Sequence, residues 1–331
     1  MSNRFLGLTL LCAASLLSAC GDDDDAPVDG GSSDTGIADA NLPDAGPVDA
    51  GDADAGLSDA GTDAGPVDGG PSEVVLRFSP RVGTAPFSCT DTYMLGTPAA
   101  EAEPVDFRLY VHDVRLVDAA GGEAPVTLAD NAFQNMGVAL LDFEDASGGC
   151  NQGDAETNSE IRGTVPAGDY VGVAFRVGIP FAINHEDLTS LPSPLNRTSL
   201  FWSWRSGHLF VAGVSRTIVA AGGAAPDAGL PGPNEHYTHI GSTMCVGDPA
   251  MGTPVTSCAR PNRAAIALGA FDATTDEIIV DFGALKASVN VADNIGCHSS
   301  TDVCSGPFAA LGIDWSTGGE TPDTQTVFRV E

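Results

Sequence analysis

Positive charge is what this chain has least of. It carries 14 Lys and Arg against 45 Asp and Glu, a formal net charge of −31. That balance argues against nucleic acid and anionic membrane surfaces as partners, and for solubility or the attraction of cations. Long apolar runs are missing too. Beyond the first 20 residues, no segment reaches the ~20 apolar residues that a spanning helix needs. Long amphipathic helical patterns are scarce. There is no HExxH, no GxSxG elbow and no GxxxxGK[ST] loop, so no signature of zincin, α/β-hydrolase or P-loop chemistry is present. The eight cysteines contain no CxxC pair, which speaks against a Cys-rich zinc site.

The N-terminus is distinctive. Residues 1–20, MSNRFLGLTLLCAASLLSAC, have the form of an export signal: Arg4, an apolar run from Phe5 to Leu17, then small residues. Leu17-Ser18-Ala19-Cys20 matches a lipobox, which predicts cleavage before Cys20 and lipidation of that residue. The expected product is an exported outer-membrane lipoprotein, periplasmic or on the cell surface, touching the membrane only through its anchor. Residues 21–72 are rich in Asp, Ala, Gly and Pro and contain no Lys, Arg or aromatic residue. DAG recurs at 44–46, 49–51, 54–56, 59–61 and 63–65. Such a composition cannot bury enough apolar surface to offset chain entropy, so it predicts a disordered acidic spacer extended by self-repulsion. The repeat lacks the pattern of calcium β-rolls and has no bidentate Glu.

Residues 73–331 are expected to fold as one domain. Its net charge is still near −18 once the spacer's 14 Asp are set aside. Alternation and β-branched runs dominate: VVLRFSP (74–80), DFRLYVHDVRLV (106–117), GVALLDFED (137–145), YVGVAFRVGIPF (170–181), RAAIALGAF (263–271) and EIIVDF (277–282). In 106–117, Phe107, Leu109 and Val111 share one face, and Arg108, Tyr110 and His112 the other. VFRV (327–330) reads as a closing or edge strand. DFGALKASV (281–289) reads as a short helix capped by Asp281. The expected fold is all-β: an antiparallel β-sandwich with long loops. Residues 221–235 form an inserted loop.

With Cys12 lost to the signal and Cys20 to the lipid, six cysteines remain: Cys89, Cys150, Cys245, Cys258, Cys297 and Cys304. An even number in an exported protein predicts disulfides. Proximity suggests Cys89–Cys150, Cys245–Cys258 and Cys297–Cys304, although spacing alone does not choose among the possible pairings.

Six histidines carry what chemistry the sequence offers: His112, His185, His208, His236, His239 and His298. With the thiols bridged, imidazoles with oxygen or nitrogen co-ligands suit Cu(II), Zn(II) or Ni(II). FWSWRSGHLF (201–210) holds Trp202 and Trp204. If it is a strand, both indoles share one face, and composition alone assigns them to core packing.

Read in order, several motifs resemble the MbnP family, the four-Cys proteins of the "metallo-mystery pair" system. They are RFSPRVGTAPFSC (77–89), RLYVHDVRLV (108–117), VALLDFEDASGGC (138–150), GTVPAGDYVGVAFRVGIPFAINHEDL (163–188), FWSWRSGHLF (201–210), HIGSTMC (239–245) and CARPNR (258–263). The resemblance implies a copper-binding protein whose partner is a di-haem enzyme similar to MauG, called MbnH. That partner would oxidise Trp202 or Trp204 to kynurenine and so complete the copper site. The implied imidazole ligands are His185 in NHxD and His239 in HxGSTxC, with His112 in YVHD as a third candidate. Indole nitrogen is a donor only; opening its five-membered ring releases an aniline nitrogen that can bind metal. The sequence departs from the family pattern at His208 and Leu209, at Met244 and at Phe133. Met244 offers a thioether suited to Cu(I), although packing is the expected role. Two other readings stand beside this one: a surface binding or adhesion lipoprotein with the fold but no metal, and, with less in its favour, a metallo-oxidase.

Overall fold

In a computed structural model the described residues are 70–151, 153–203, 205–218, 234–293 and 296–331. The signal, Cys20, most of the spacer, Trp204 and most of the 221–235 loop lie outside them.

The chain's longest strand, Ala100–Asp118, runs 19 residues and organises the domain. Its first half pairs antiparallel with Val211–Thr217, and its second half with Tyr170–Val177. Val138–Asp142 lies on its other side, aligning Arg108 with Asp142 and His112 with Val138. Glu235–Ile240 and Ala264–Gly269 extend this sheet outward. The second sheet is built on Ser72–Val82, which pairs antiparallel with Glu160–Val165 and parallel with Ile278–Asp281. Phe328–Val330 pairs at its edge, as the sequence pattern anticipated. The fold is thus an all-β sandwich whose described strands pair antiparallel except for Ser72–Val82 with Ile278–Asp281, with a further isolated parallel bridge between Thr238 and Cys297.

Alternation sends Phe107, Leu109 and Val111 into the space between the sheets. There Phe107 meets Phe282 at 5.0 Å between ring centroids, and Phe175 meets Phe328 at 5.3 Å. The other face of the same strand is equally dry. Tyr110 packs with Leu140, Ile179, Leu195, Leu200 and Phe210 in a second core, and its hydroxyl donates to the Pro194 carbonyl at 2.9 Å. Residues 179–210 therefore form a cap over the outer face of the sheet. The candidate site is built on that cap.

Phe282–Lys286 is helical, with the Asp281 side chain accepting from Ala284 N–H as its N-cap. Three disulfides join Cys89–Cys150, Cys245–Cys258 and Cys297–Cys304, the pairing that proximity favoured. Among the described residues no helix is long and apolar enough to cross a membrane.

Candidate metal centre

FWSWRSGHLF is not one strand. Phe201–Ser203 turns back and pairs with Gly207–His208. Gly207 has a positive φ of 77°, and a Cβ there would fall 2.3 Å from the Asn184 carbonyl oxygen, so only glycine fits the turn. Arg205 reaches out of the turn, donating to the Gly247 carbonyl at 3.0 Å and to Asp248 at 2.7 Å. These contacts fasten the tryptophan hairpin to a neighbouring one, Thr243–Asp248 with Thr253–Arg260, which carries the Cys245–Cys258 bridge.

Trp202 is half-buried and packs on the second core. The benzo edge of its indole lies over Gly241, where a Cβ would sit 2.9 Å from Cζ3. Gly241 is itself held from two sides: its N–H donates to Ser299 Oγ at 3.0 Å, and its carbonyl accepts from Asn262 at 2.7 Å. The indole therefore rests at the end of the Glu235–Ile240 strand, two residues past His239.

His239 shares the accessible side of that strand with Tyr237. A third ring joins them from a distant part of the chain. The segment at Cys297 runs beside the strand, with Cys297 N–H donating to the Tyr237 carbonyl and His239 N–H to the Cys297 carbonyl, both at 2.8 Å. This brings His298 to 5.2 Å from His239 and 5.6 Å from Tyr237, centroid to centroid. Burial, with help from His298 and Lys286, pushes the His239 imidazole down to about 3. Burial also lowers His298. Both rings are thus neutral near pH 7, the state a metal requires. Behind them, the buried Lys286 Nζ lies 2.8 and 3.0 Å from the Gly213 and His236 carbonyls and 3.0 Å from Thr238 Oγ1, and burial pushes its pKa well below the usual lysine range. It staples the His239 strand to its neighbour from the core side.

His185 ends the short helix Phe181–Asn184. Its Nε2 is 3.3 Å from Cys258 Sγ, and its ring packs on Phe181 at 5.1 Å. His112 is buried elsewhere: Nδ1 is 2.9 Å from the Gly178 carbonyl, and burial pushes the ring down to about 4. His208 is fully buried, with its ring nitrogens 3.2 and 2.8 Å from the Asn184 and Leu195 carbonyls. Both nitrogens face backbone carbonyls, to one of which the neutral ring donates, so His208 pins the hairpin and its nitrogens are not turned toward a shared metal position. Met244 does not pack: its side chain is 63% exposed.

The geometry thus brings Trp202 to the His239 strand, gives His239 a partner in His298, and sets His185 against the cystine hairpin. His298 was among the six histidines but not among the candidate ligands. Its only sequence signal is its place beside Cys297, a bridge that fixes the segment. Among the described residues, two groups of three potential His, Cys, Asp or Glu ligands lie close together: His185 with Cys245 and Cys258, and Asp145 with Cys89 and Cys150. Each leans on disulfide sulfurs. Neutral imidazoles are donors of the kind that suits copper, zinc or nickel, whereas the indole nitrogen of Trp202 carries its proton and is a hydrogen-bond donor only.

Fold and site together define a disulfide-stapled β-sandwich carrying a tryptophan hairpin on a histidine-bearing strand. A family model for MbnP matches residues 71–299, and the chain belongs to the MbnP family. The solved structure of MbnP from Methylosinus trichosporium is similar to it, with a TM-score of 0.67 and 28% identity, covering 79% of this chain and 98% of that one. No curated protein matches.

Proposed function

We propose that this is an exported, lipid-anchored copper-binding protein without turnover of its own. A di-haem partner similar to MauG oxidises Trp202 to kynurenine, and copper would be held by the new aniline nitrogen together with His239 and its neighbour His298, with His185 as a further candidate ligand. Family membership supports the reading, and the seat of the Trp202 indole on Gly241, next to His239, carries it. In this scheme copper contributes a soft-to-borderline Lewis acid. The chain contributes neutral imidazoles, a rigid hairpin, and an indole half-exposed for oxidation from outside.

The test is mass spectrometry of the 201–210 peptide from protein co-expressed with its haem partner. Loss of one carbon and gain of one oxygen on Trp202 is the expected result. Unmodified tryptophan in copper-loaded protein removes the kynurenine step.

A second reading, a surface binding module without metal, draws on the exposed apolar side chains Met244, Val246 and Met251. Copper titration of a His185→Ala, His239→Ala double variant separates the two. Binding equal to wild type favours the module.

A further inference from the structure

His185 faces a disulfide. Its Nε2 is 3.3 Å from Cys258 Sγ, and the ligand atoms of His185, Cys245 and Cys258 all lie within 4.8 Å of one another. With the bridge closed, the two sulfurs are poor donors, because it is the thiolate that binds metal. We propose that reduction of the Cys245–Cys258 bridge opens a second metal site, an S₂N set of Cys245, Cys258 and His185 that takes Cu(I).

Access singles out this bridge. Thiol–disulfide exchange needs an approach to sulfur. Cys245 and Cys258 are half-buried on a surface hairpin. The other four cysteines are sealed, with Cys89 3% exposed, Cys150 1%, and Cys297 and Cys304 0%. A dithiol therefore reaches one bridge before the other two.

The backbone keeps the two thiols together once the bond is broken. Cys245 and Cys258 are direct cross-strand partners, flanked by the pairs Thr243–Arg260 and Val246–Ser257. Arg205 braces the same hairpin at Gly247 and Asp248. The imidazole is equally fixed. Its ring packs on Phe181 at 5.1 Å; Asn184 Nδ2 lies 3.2 Å from His185 Nε2, a contact that metal binding to Nε2 would replace, while Asn184 Oδ1 accepts from His208 N–H at 2.9 Å.

The chemistry balances. A dithiol reductant gives two electrons and two protons to the cystine and leaves as its own disulfide. Cys245 and Cys258 become thiols. Binding of Cu(I) then releases two protons, and the two thiolates join the neutral His185 nitrogen. Thiolates select Cu(I) over harder cations. This site needs neither kynurenine nor His239, so it is measurable on protein with intact tryptophans, and its failure or success is independent of the oxidation step proposed above. If copper sits on the nitrogen-rich centre in oxidised protein, reduction moves His185 to a sulfur-rich alternative.

The experiment is a Cu(I) titration of the full-length protein before and after limited anaerobic reduction by a dithiol, with the reductant removed. Cu(I) is added as its acetonitrile complex against a chromophoric chelator. The expected result is about one further Cu(I) per chain after reduction, by the count of thiolate pairs, with thiolate-to-copper charge-transfer absorption in the ultraviolet. Cys245→Ser should abolish that increment. His185→Ala should weaken it about tenfold or more, the scale of losing support at a metal site. Iodoacetamide mapping of reduced wild type covers a variant that fails to fold: Cu(I) should protect Cys245 and Cys258 from labelling. Equal uptake by oxidised and reduced protein, an increment that survives Cys245→Ser, or labelling indifferent to Cu(I) would each overturn the proposal.

Discussion

Gly241 leaves open the space that Trp202 fills: a single Cβ at 241 would lie 2.9 Å from the indole Cζ3 and 2.6 Å from the His208 carbonyl oxygen. The tryptophan hairpin and the His239 strand are therefore fitted to one another at a point with no slack. Nothing in the neighbourhood can yield easily, because Gly241 is tied to Ser299 and Asn262 and the hairpin is tied by Arg205.

Gly241→Ala should push the hairpin outward. Overpacking at such a site typically costs ~1–3 kcal/mol. Chemical denaturation should register the loss. A red-shifted tryptophan emission would report a more solvated Trp202. An unchanged spectrum and midpoint would mean the contact is loose in solution.

His239 and His298 should behave as a coupled pair in copper binding. Each substitution to Ala in kynurenine-bearing protein should weaken affinity, and the double variant should lose little more than the worse single one, because residues in one site are not additive. His112→Gln should leave affinity near wild type, since that ring is engaged by Gly178. Isothermal titration under anaerobic conditions reads all four proteins. Strong weakening from His112→Gln would move the centre away from the Cys297 segment.

Lys286→Met should be destabilising. The Lys286 amino group meets two carbonyls and a hydroxyl inside the core, and methionine leaves those acceptors without their donor. Stranded buried polar groups cost ~1–3 kcal/mol each in the worst case. The denaturation midpoint should fall accordingly, and amide exchange should quicken along Glu235–Ile240. A neutral outcome would mean that burying the amino group costs as much as its hydrogen bonds return.

Two buried groups set opposite pH limbs of stability. Burial pushes the Asp142 carboxyl up to about 7, against the pull of Arg108 and Arg197, and its Oδ2 accepts no hydrogen bond. Its folded value lies above the unfolded value of ~3.9. Its contribution is thus full at low pH and is lost as pH rises through about 7. Asp142→Asn should gain on the order of 1–3 kcal/mol at pH ~8 and little at pH ~4. His112 has the reverse sign. Its folded value of about 4 lies below the usual imidazole range, so its contribution is full above ~6.5 and is lost as pH falls toward ~4. His112→Gln should flatten that acid limb. Denaturation curves across pH ~4 to ~8 cover both windows, and parallel wild-type and variant profiles would refute the assignments.

Much of this was legible along the chain. Period-two alternation marked the long strand at 106–117, a capping Asp281 marked the short helix, and the terminal run marked the closing strand at 327–330, because each depends on neighbours a few residues away. The bridges Cys245–Cys258 and Cys297–Cys304 are comparably local, 13 and 7 residues apart, whereas Cys89–Cys150 spans 61. FWSWRSGHLF misled the strand reading because its turn depends on Asn184, whose carbonyl oxygen a Cβ at Gly207 would approach to 2.3 Å. Met244 likewise pointed to packing and is instead exposed on the cystine hairpin.

The site itself was the least legible part. Motif order pointed to the family, and the resemblance named His185, His239, His112 and one of Trp202 and Trp204. Spacing could not bring His298 beside His239, since 58 intervening positions separate them and the Cys297 backbone pairing closes that distance. Nor could it set His185 on Cys258 or Trp202 on Gly241. Local pattern fixes which elements form, because it acts through backbone geometry and side-chain alternation. Which imidazoles meet, and which sulfur lies against which ring, is settled by contacts between segments far apart in the chain, which local pattern does not encode.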